Sequence, residues 1–162
     1  MQITFIQTGG TIDKAYPRIL KSYAFEIADP AVQRIFERVK PNFTAKIVKL
    51  LKKDSLDLTD KDRRKIYQAC LSEPCERIVI THGTDTMIKT AEALQTLKNK
   101  TIVLTGAMLP ETMRESDAMF NIGLAIGAVQ ILTHGVYIAM SGRIYPWDAC
   151  KKSEKTCKFI HA

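Results

Sequence analysis

The chain has 162 residues and a net charge of +7, with 46% hydrophobic and 25% charged residues. That length and apolar content suit one domain with its own core, and they exclude a disordered tail or a disulfide-stapled miniprotein. Met1-Gln2-Ile3-Thr4 puts no basic stretch before an apolar run, and no apolar segment approaches the roughly 18 residues that span a bilayer, so a cytoplasmic protein with no membrane partner is expected.

In chain order, residues 3–6, 45–51, 77–80, 102–104 and 136–140 read as strands, short and rich in β-branched residues, as strands buried on both faces are. Helical patterns lie between them. Asp29-Pro30 supplies a cap and a first-turn proline for a helix over 31–39. Thr59-Asp60-Lys61-Asp62 resembles a capping box opening a helix to about residue 71. Further helices start at Asp85 or Thr86, running to 97, and at Ser116 or Asp117, running to 132. This β-α-β-α order predicts a three-layer α/β/α fold with a mainly parallel sheet and right-handed crossovers, as a single domain over 1–162. Residues 9–23 form the one long stretch without periodicity, a candidate lid.

Cys70, Cys75, Cys150 and Cys157 form no CxxC pair, and His82, His134 and His161 do not join them at zinc spacing, so reduced thiols and no metal are expected. The basic residues gather in 46–65 and 151–158. Asp54, Asp57, Asp60 and Asp62 interleave with the first group, and no RNA- or DNA-binding signature accompanies either, so a solvated face is expected rather than a nucleic-acid partner.

Ligands of open parallel sheets bind beyond the carboxyl ends of the strands. Those ends read Thr8-Gly9-Gly10-Thr11, Asp54-Ser55, Thr81-His82-Gly83-Thr84-Asp85, Thr105-Gly106-Ala107-Met108 and Ser141-Gly142. Glycines there let backbone amides approach a ligand, and hydroxyls bond or attack it. No P-loop spacing, GxGxxG or GxSxG is present. The residues alone indicate a threonine-rich small-ligand site of undecided function.

Thr8-Gly9-Gly10-Thr11-Ile12 and His82-Gly83-Thr84-Asp85-Thr86, each at a strand end, resemble the two signatures of the bacterial-type L-asparaginase family; Gly106-Ala107-Met108 and Phe120-Asn121 recur at the expected places. The resemblance implies hydrolysis of the side-chain amide of L-asparagine without a cofactor, through an acyl-enzyme on Thr11, with Tyr23 closing beside it. It implies a second set of Thr84, Asp85 and Lys152, with Lys151 as the rival lysine, moving protons. Asp85 would also receive the substrate's α-amino group and Ser55 its α-carboxylate, while the Gly83–Thr84 backbone and the Ala107 carbonyl would hold the oxyanion and the leaving amide. Leu56 stands where many relatives carry a glutamine. Family members usually continue for a further domain, whereas this chain ends at Ala162, and Thr11-Ile12-Asp13-Lys14 after the glycine pair looks closest to a short single-domain class. Glutaminase or broader ω-amidase activity, a non-catalytic amino-acid binder and an RNA-linked amidotransferase component are the alternatives. Apolar residues along 118–132 exceed what one buried face needs, so a homodimer or dimer of dimers is expected.

Overall fold

A computed structural model describes residues 1–17 and 24–162. Among the described residues the order is β1 (Gln2–Gly9), β2 (Lys14–Ala15), β3 (Glu26–Ile27), α1 (Ala31–Val39), β4 (Thr44–Lys53), α2 (Asp60–Ser72), β5 (Arg77–Thr81), α3 (Met87–Ala93), β6 (Thr101–Thr105), α4 (Ala118–Ile131), β7 (Gly135–Met140), β8 (Arg143–Pro146), β9 (Cys150–Lys152) and β10 (Phe159–His161). The main sheet runs β4-β1-β5-β6-β7-β8; its first five strands are parallel and β8 closes it antiparallel.

Both faces of the sheet are covered, and the two-residue period of the strands sorts their side chains between them. Ile6, Ile78, Ile80, Ile102, Leu104 and Ile138 pack against α2 and α3, through Ile66, Cys70, Met87 and Leu94. Ile3, Phe5, Val79, Val103 and Ala139 pack on the other side against α1 and α4, through Val32, Ile35, Ile122 and Val129. The chain is thus a three-layer α/β/α sandwich, as its hydrophobic runs predict.

The crossovers are not all of one hand. β1-α1-β4 steps one way beneath the α1/α4 layer, while β4-α2-β5 and β5-α3-β6 step the other way beneath the α2/α3 layer. These three share a hand, which the twist of the strands makes right. β6-α4-β7 steps in the same direction as β5-α3-β6 but with its helix on the opposite face, so its hand is reversed. The segment 106–117 that precedes α4 reaches the turn after β1, where the Glu111 N–H donates to the Ile12 carbonyl at 3.2 Å.

Edge strand β4 exposes Lys46, Lys49 and Lys52, charges that discourage edge-to-edge pairing. The basic cluster over 46–65 is largely paired: Lys46 with Glu73, Lys49 and Lys52 with Asp29, Lys53 with Asp62, and Arg63 with Asp60. Among the described residues, no helix is long and apolar enough to cross a membrane.

The capping box at Thr59 and Asp62 forms as expected. At α1 the expected cap differs. Asp29 turns outward to Lys49 and Lys52, and the Ala31 N–H donates instead to Asp13 Oδ1 at 2.7 Å. The third helix begins at Met87 with no side-chain cap, and Asp85 is engaged elsewhere.

Candidate active site at the carboxyl edge of the sheet

The chain leaves β1 for β4 on one side and returns past it to β5 on the other. β1 and β5 therefore flank the switch point of the sheet, where open α/β folds form a crevice. Their ends are stitched together. Thr8 Oγ1 donates to the Thr81 carbonyl at 2.8 Å, Gly10 N–H to the Lys53 carbonyl at 3.0 Å, and His82 N–H to the Thr105 carbonyl at 2.9 Å.

Two glycines make this closeness possible. Gly10 has a φ of 86°, and a Cβ there would lie 2.3 Å from the Gly83 nitrogen. A Cβ on Gly83 would lie 2.7 Å from both Cβ and Oγ of Ser55. Side chains at either position would wedge the strand ends apart. Thr11 and Thr84 each follow one of these glycines, so the turns that carry them abut, with Ser55 against the second glycine.

Thr11 opens a 3-10 turn, Thr11–Asp13, and is half-buried. Ser55 is buried, and its Oγ has no partner among the described residues. The turn carrying Ser55 is held by Thr86, whose hydroxyl donates to the Ser55 carbonyl at 2.6 Å. Asp54 caps that turn by accepting from the Leu56 N–H, and its Lys14 partner holds the carboxyl below the usual range. Leu56 itself is exposed.

Lys152, on β9, donates from Nζ to Thr84 Oγ1 at 2.9 Å and to Asp85 Oδ1 at 2.5 Å. Lys151 points outward, and its strand residue pairs with Ile160. The β9-β10 hairpin that delivers Lys152 is anchored by Tyr145, whose hydroxyl donates to the Phe159 carbonyl at 2.9 Å. Ala107 is buried after β6. Its segment is shaped by Asp117, which accepts from the Met108 N–H at 2.9 Å, and by Asn121. The Asn121 amide donates to the Gly106 carbonyl at 3.0 Å and accepts from the Ser141 N–H at 2.9 Å. Asn121 thus joins the ends of β6 and β7. Tyr23 lies outside the described residues.

His82 is fully buried and structural in its contacts. Its Nδ1 donates to the Gly83 carbonyl at 2.7 Å, and its Nε2 faces Thr90 Oγ1 at 2.8 Å. Burial pushes its pKa down to about 4, so the ring is neutral at pH 7. Burial pushes the Cys70 thiol up to about 12 and Cys150 to about 11, so neither is a thiolate nucleophile at neutral pH. Among the described residues no group of three or more His, Cys, Asp or Glu side chains is placed to hold a metal.

Reading the sequence assigns no role in the site to Asp13, Lys14 or Thr86, which brace it in the fold. Asn121 was visible only as part of Phe120-Asn121. Thr86 carried one signal, its place in the Thr84-Asp85-Thr86 run.

A mainly parallel open sheet with two threonine-bearing turns abutting at its switch point defines the class, and similarity to known proteins specifies it. The family model described as asparaginase, N-terminal, matches residues 2–157, and the chain belongs to that family. It is 33% identical over 149 residues to the L-asparaginase of Thermococcus kodakarensis, covering 89% of this chain and 45% of that protein. It is 30% identical over 155 residues to a glutaminase-asparaginase of Acinetobacter glutaminasificans, covering 88% of this chain and 47% of that protein. The solved structure of the thermostable Thermococcus kodakarensis L-asparaginase is similar to it at a TM-score of 0.87 and 29% identity, over 99% of this chain and 51% of that one. The chain spans about half the length of the curated relatives it matches.

Proposed function

We propose that the chain is an amidohydrolase, in a single catalytic domain over residues 1–162, that converts L-asparagine to L-aspartate and ammonia. The observation that carries this is the junction of two threonine-bearing turns at the switch point, with Lys152 Nζ on Thr84 and Asp85 beside it. Thr11 Oγ attacks the side-chain amide carbon, and its proton passes to the departing nitrogen. The C–N bond breaks, ammonia leaves, and an aspartyl ester remains on Thr11. Water then adds to the ester carbon, aspartate is released, and the Thr11 hydroxyl regains its proton.

Lys152, Thr84 and Asp85 form the proton path, and Tyr23 assists Thr11. The half-exposed Asp85 carboxylate suits the substrate's α-ammonium group. The unpartnered Ser55 hydroxyl suits its α-carboxylate. The backbone N–H groups at Gly83 and Thr84 face the developing oxyanion, and the Ala107 carbonyl accepts from the leaving amide. These hydroxyls, backbone dipoles and one lysine suffice without a cofactor. Four free cysteines fit a reducing, cytoplasmic setting.

Glutamine remains a second substrate, because relatives include glutaminase-asparaginases and one methylene changes binding by only roughly 1–3 kcal/mol. Ammonia release measured over asparagine, glutamine and simple amides tests both. Thr11→Val, which keeps shape and loses the hydroxyl, is expected to fold and to lose at least about a thousandfold in turnover. Near-normal turnover in this variant would overturn Thr11 as nucleophile.

A further inference from the structure

Asp13 sits two residues beyond Thr11 in the same 3-10 turn and is fully buried. Three of its contacts tie that turn down. Its N–H donates to the Gly10 carbonyl at 3.2 Å, its carbonyl accepts from Ala28 N–H at 2.9 Å, and its Oδ1 accepts from Ala31 N–H at 2.7 Å. The last bond crosses to the first turn of α1, which has no cap of its own.

The other carboxyl oxygen, Oδ2, has no partner among the described residues. Gln7 on β1 and Thr81 on β5 face Asp13, and Gln7 Oε1 and Thr81 Oγ1 are likewise buried without partners. Gln7 Nε2 is already committed to the Ala28 carbonyl at 2.9 Å. The charge facing Asp13 is Arg34 of α1, itself engaged by Glu111 at 2.6 Å. Glu111 also ties into the turn, its N–H donating to the Ile12 carbonyl at 3.2 Å. A proton on Oδ2 lets the carboxyl donate to Gln7 Oε1, and the Thr81 hydroxyl, a donor as well as an acceptor, completes the cluster. Burial favours that neutral form, raising the Asp13 pKa to about 6.

We propose that Asp13 is the positioning residue of Thr11: through its hydrogen bonds the carboxyl locks the turn between the first peptide of α1 and the side chains of Gln7 and Thr81, and so fixes the aim of the Thr11 hydroxyl. The proposal rests on the amidohydrolase reading. A misplacement of an ångström costs about a hundredfold in turnover. Asp13→Ala is therefore expected to lower kcat by about that factor while KM moves less than about threefold, because no substrate contact is removed. Asp13→Asn keeps Oδ1 and places an N–H donor at the second position, and it restores kcat to within about threefold. In the wild type, the Ala31 amide resonance should titrate with a midpoint near the Asp13 value of about 6, and in Asp13→Asn it should not.

A kcat loss shared equally by Asn and Ala, an effect confined to KM, or an Ala31 resonance that does not titrate would overturn the proposal. If Asp13→Ala does not fold, the Asn variant and the resonance decide. Absence of ammonia release by the wild type would instead sink the amidohydrolase reading. The Ala31 titration would then still report whether the lock itself exists.

Discussion

Gly83 shows how little room the site leaves at the residue scale. A methyl group there would sit 2.7 Å from Ser55 Cβ and Oγ, a distance no relaxed contact reaches. Overpacking of this kind costs about 1–3 kcal/mol, because backbone must move to relieve it. Gly83→Ala is expected to fold with stability reduced by about that amount, seen in denaturant melts, and to lose ammonia release as Ser55 is pushed away. Lys152 makes a different case. Its ion pair with Asp85 is partly exposed, with side-chain accessibilities of 20% and 48%, so its removal costs at most about 1 kcal/mol of stability. In the proposed mechanism its bond to Thr84 carries the proton path. Lys152→Met should therefore melt near the wild type and lose about a hundred- to ten-thousandfold in turnover, the range of a general acid–base group. Full turnover in that variant would remove Lys152 from the mechanism.

At the scale of elements, two buried groups on neighbouring strand ends respond to acid in opposite directions. Asp13 binds its proton more tightly folded than unfolded, so its contribution is fully present below about 4 and is lost as pH rises through about 6. His82 binds its proton less tightly folded, so its contribution is present above about 6.5 and is lost as pH falls toward 4. Each shift corresponds to roughly 3 kcal/mol, and between pH 4 and 6 the two oppose one another. Asp13→Asn unmasks this. Its stability relative to the wild type should rise by up to about 3 kcal/mol between pH 4 and 7, and a flat difference would show that Asp13 is already ionised at low pH.

The same elements show what the chain reveals locally. The five parallel strands, the span of α1 and the Thr59 capping box were legible because period, β-branching and capping chemistry are local. The true cap of α1 was not, since Asp13 reaches it from 18 residues away and only folding brings them together. The reversed crossover at α4 was hidden for the same reason, and the short β8–β10 pieces carry too few residues to show a period. Within the site, the turns at Thr11 and Thr84 were visible through their glycines. Between Lys151 and Lys152, the sequence left a choice, and in the fold only Lys152 reaches Thr84 and Asp85.

For the whole molecule, α4 poses the question of a partner. Ala118–Ile131 contains no charged residue, and its outer face leaves Phe120 62% and Ile131 81% exposed, with Gly123 and Gly127 between them open to close approach. An exposed apolar stripe of this kind marks a protein–protein interface, and two-fold pairing of α4 with its copy is the expected form of it. Light scattering at micromolar concentration is expected to give a dimer for the wild type and a monomer for Phe120→Glu combined with Ile131→Glu. A wild-type monomer would dismiss the α4 interface.

The proposed function requires an aspartyl ester on Thr11. Acid-quenched turnover with L-asparagine, followed by tandem mass spectrometry, tests it most directly. The expected result is a mass gain of one aspartyl residue on the peptide containing Thr11, absent in Thr11→Val. An adduct on Thr84 instead, or the same adduct in Thr11→Val, would contradict it.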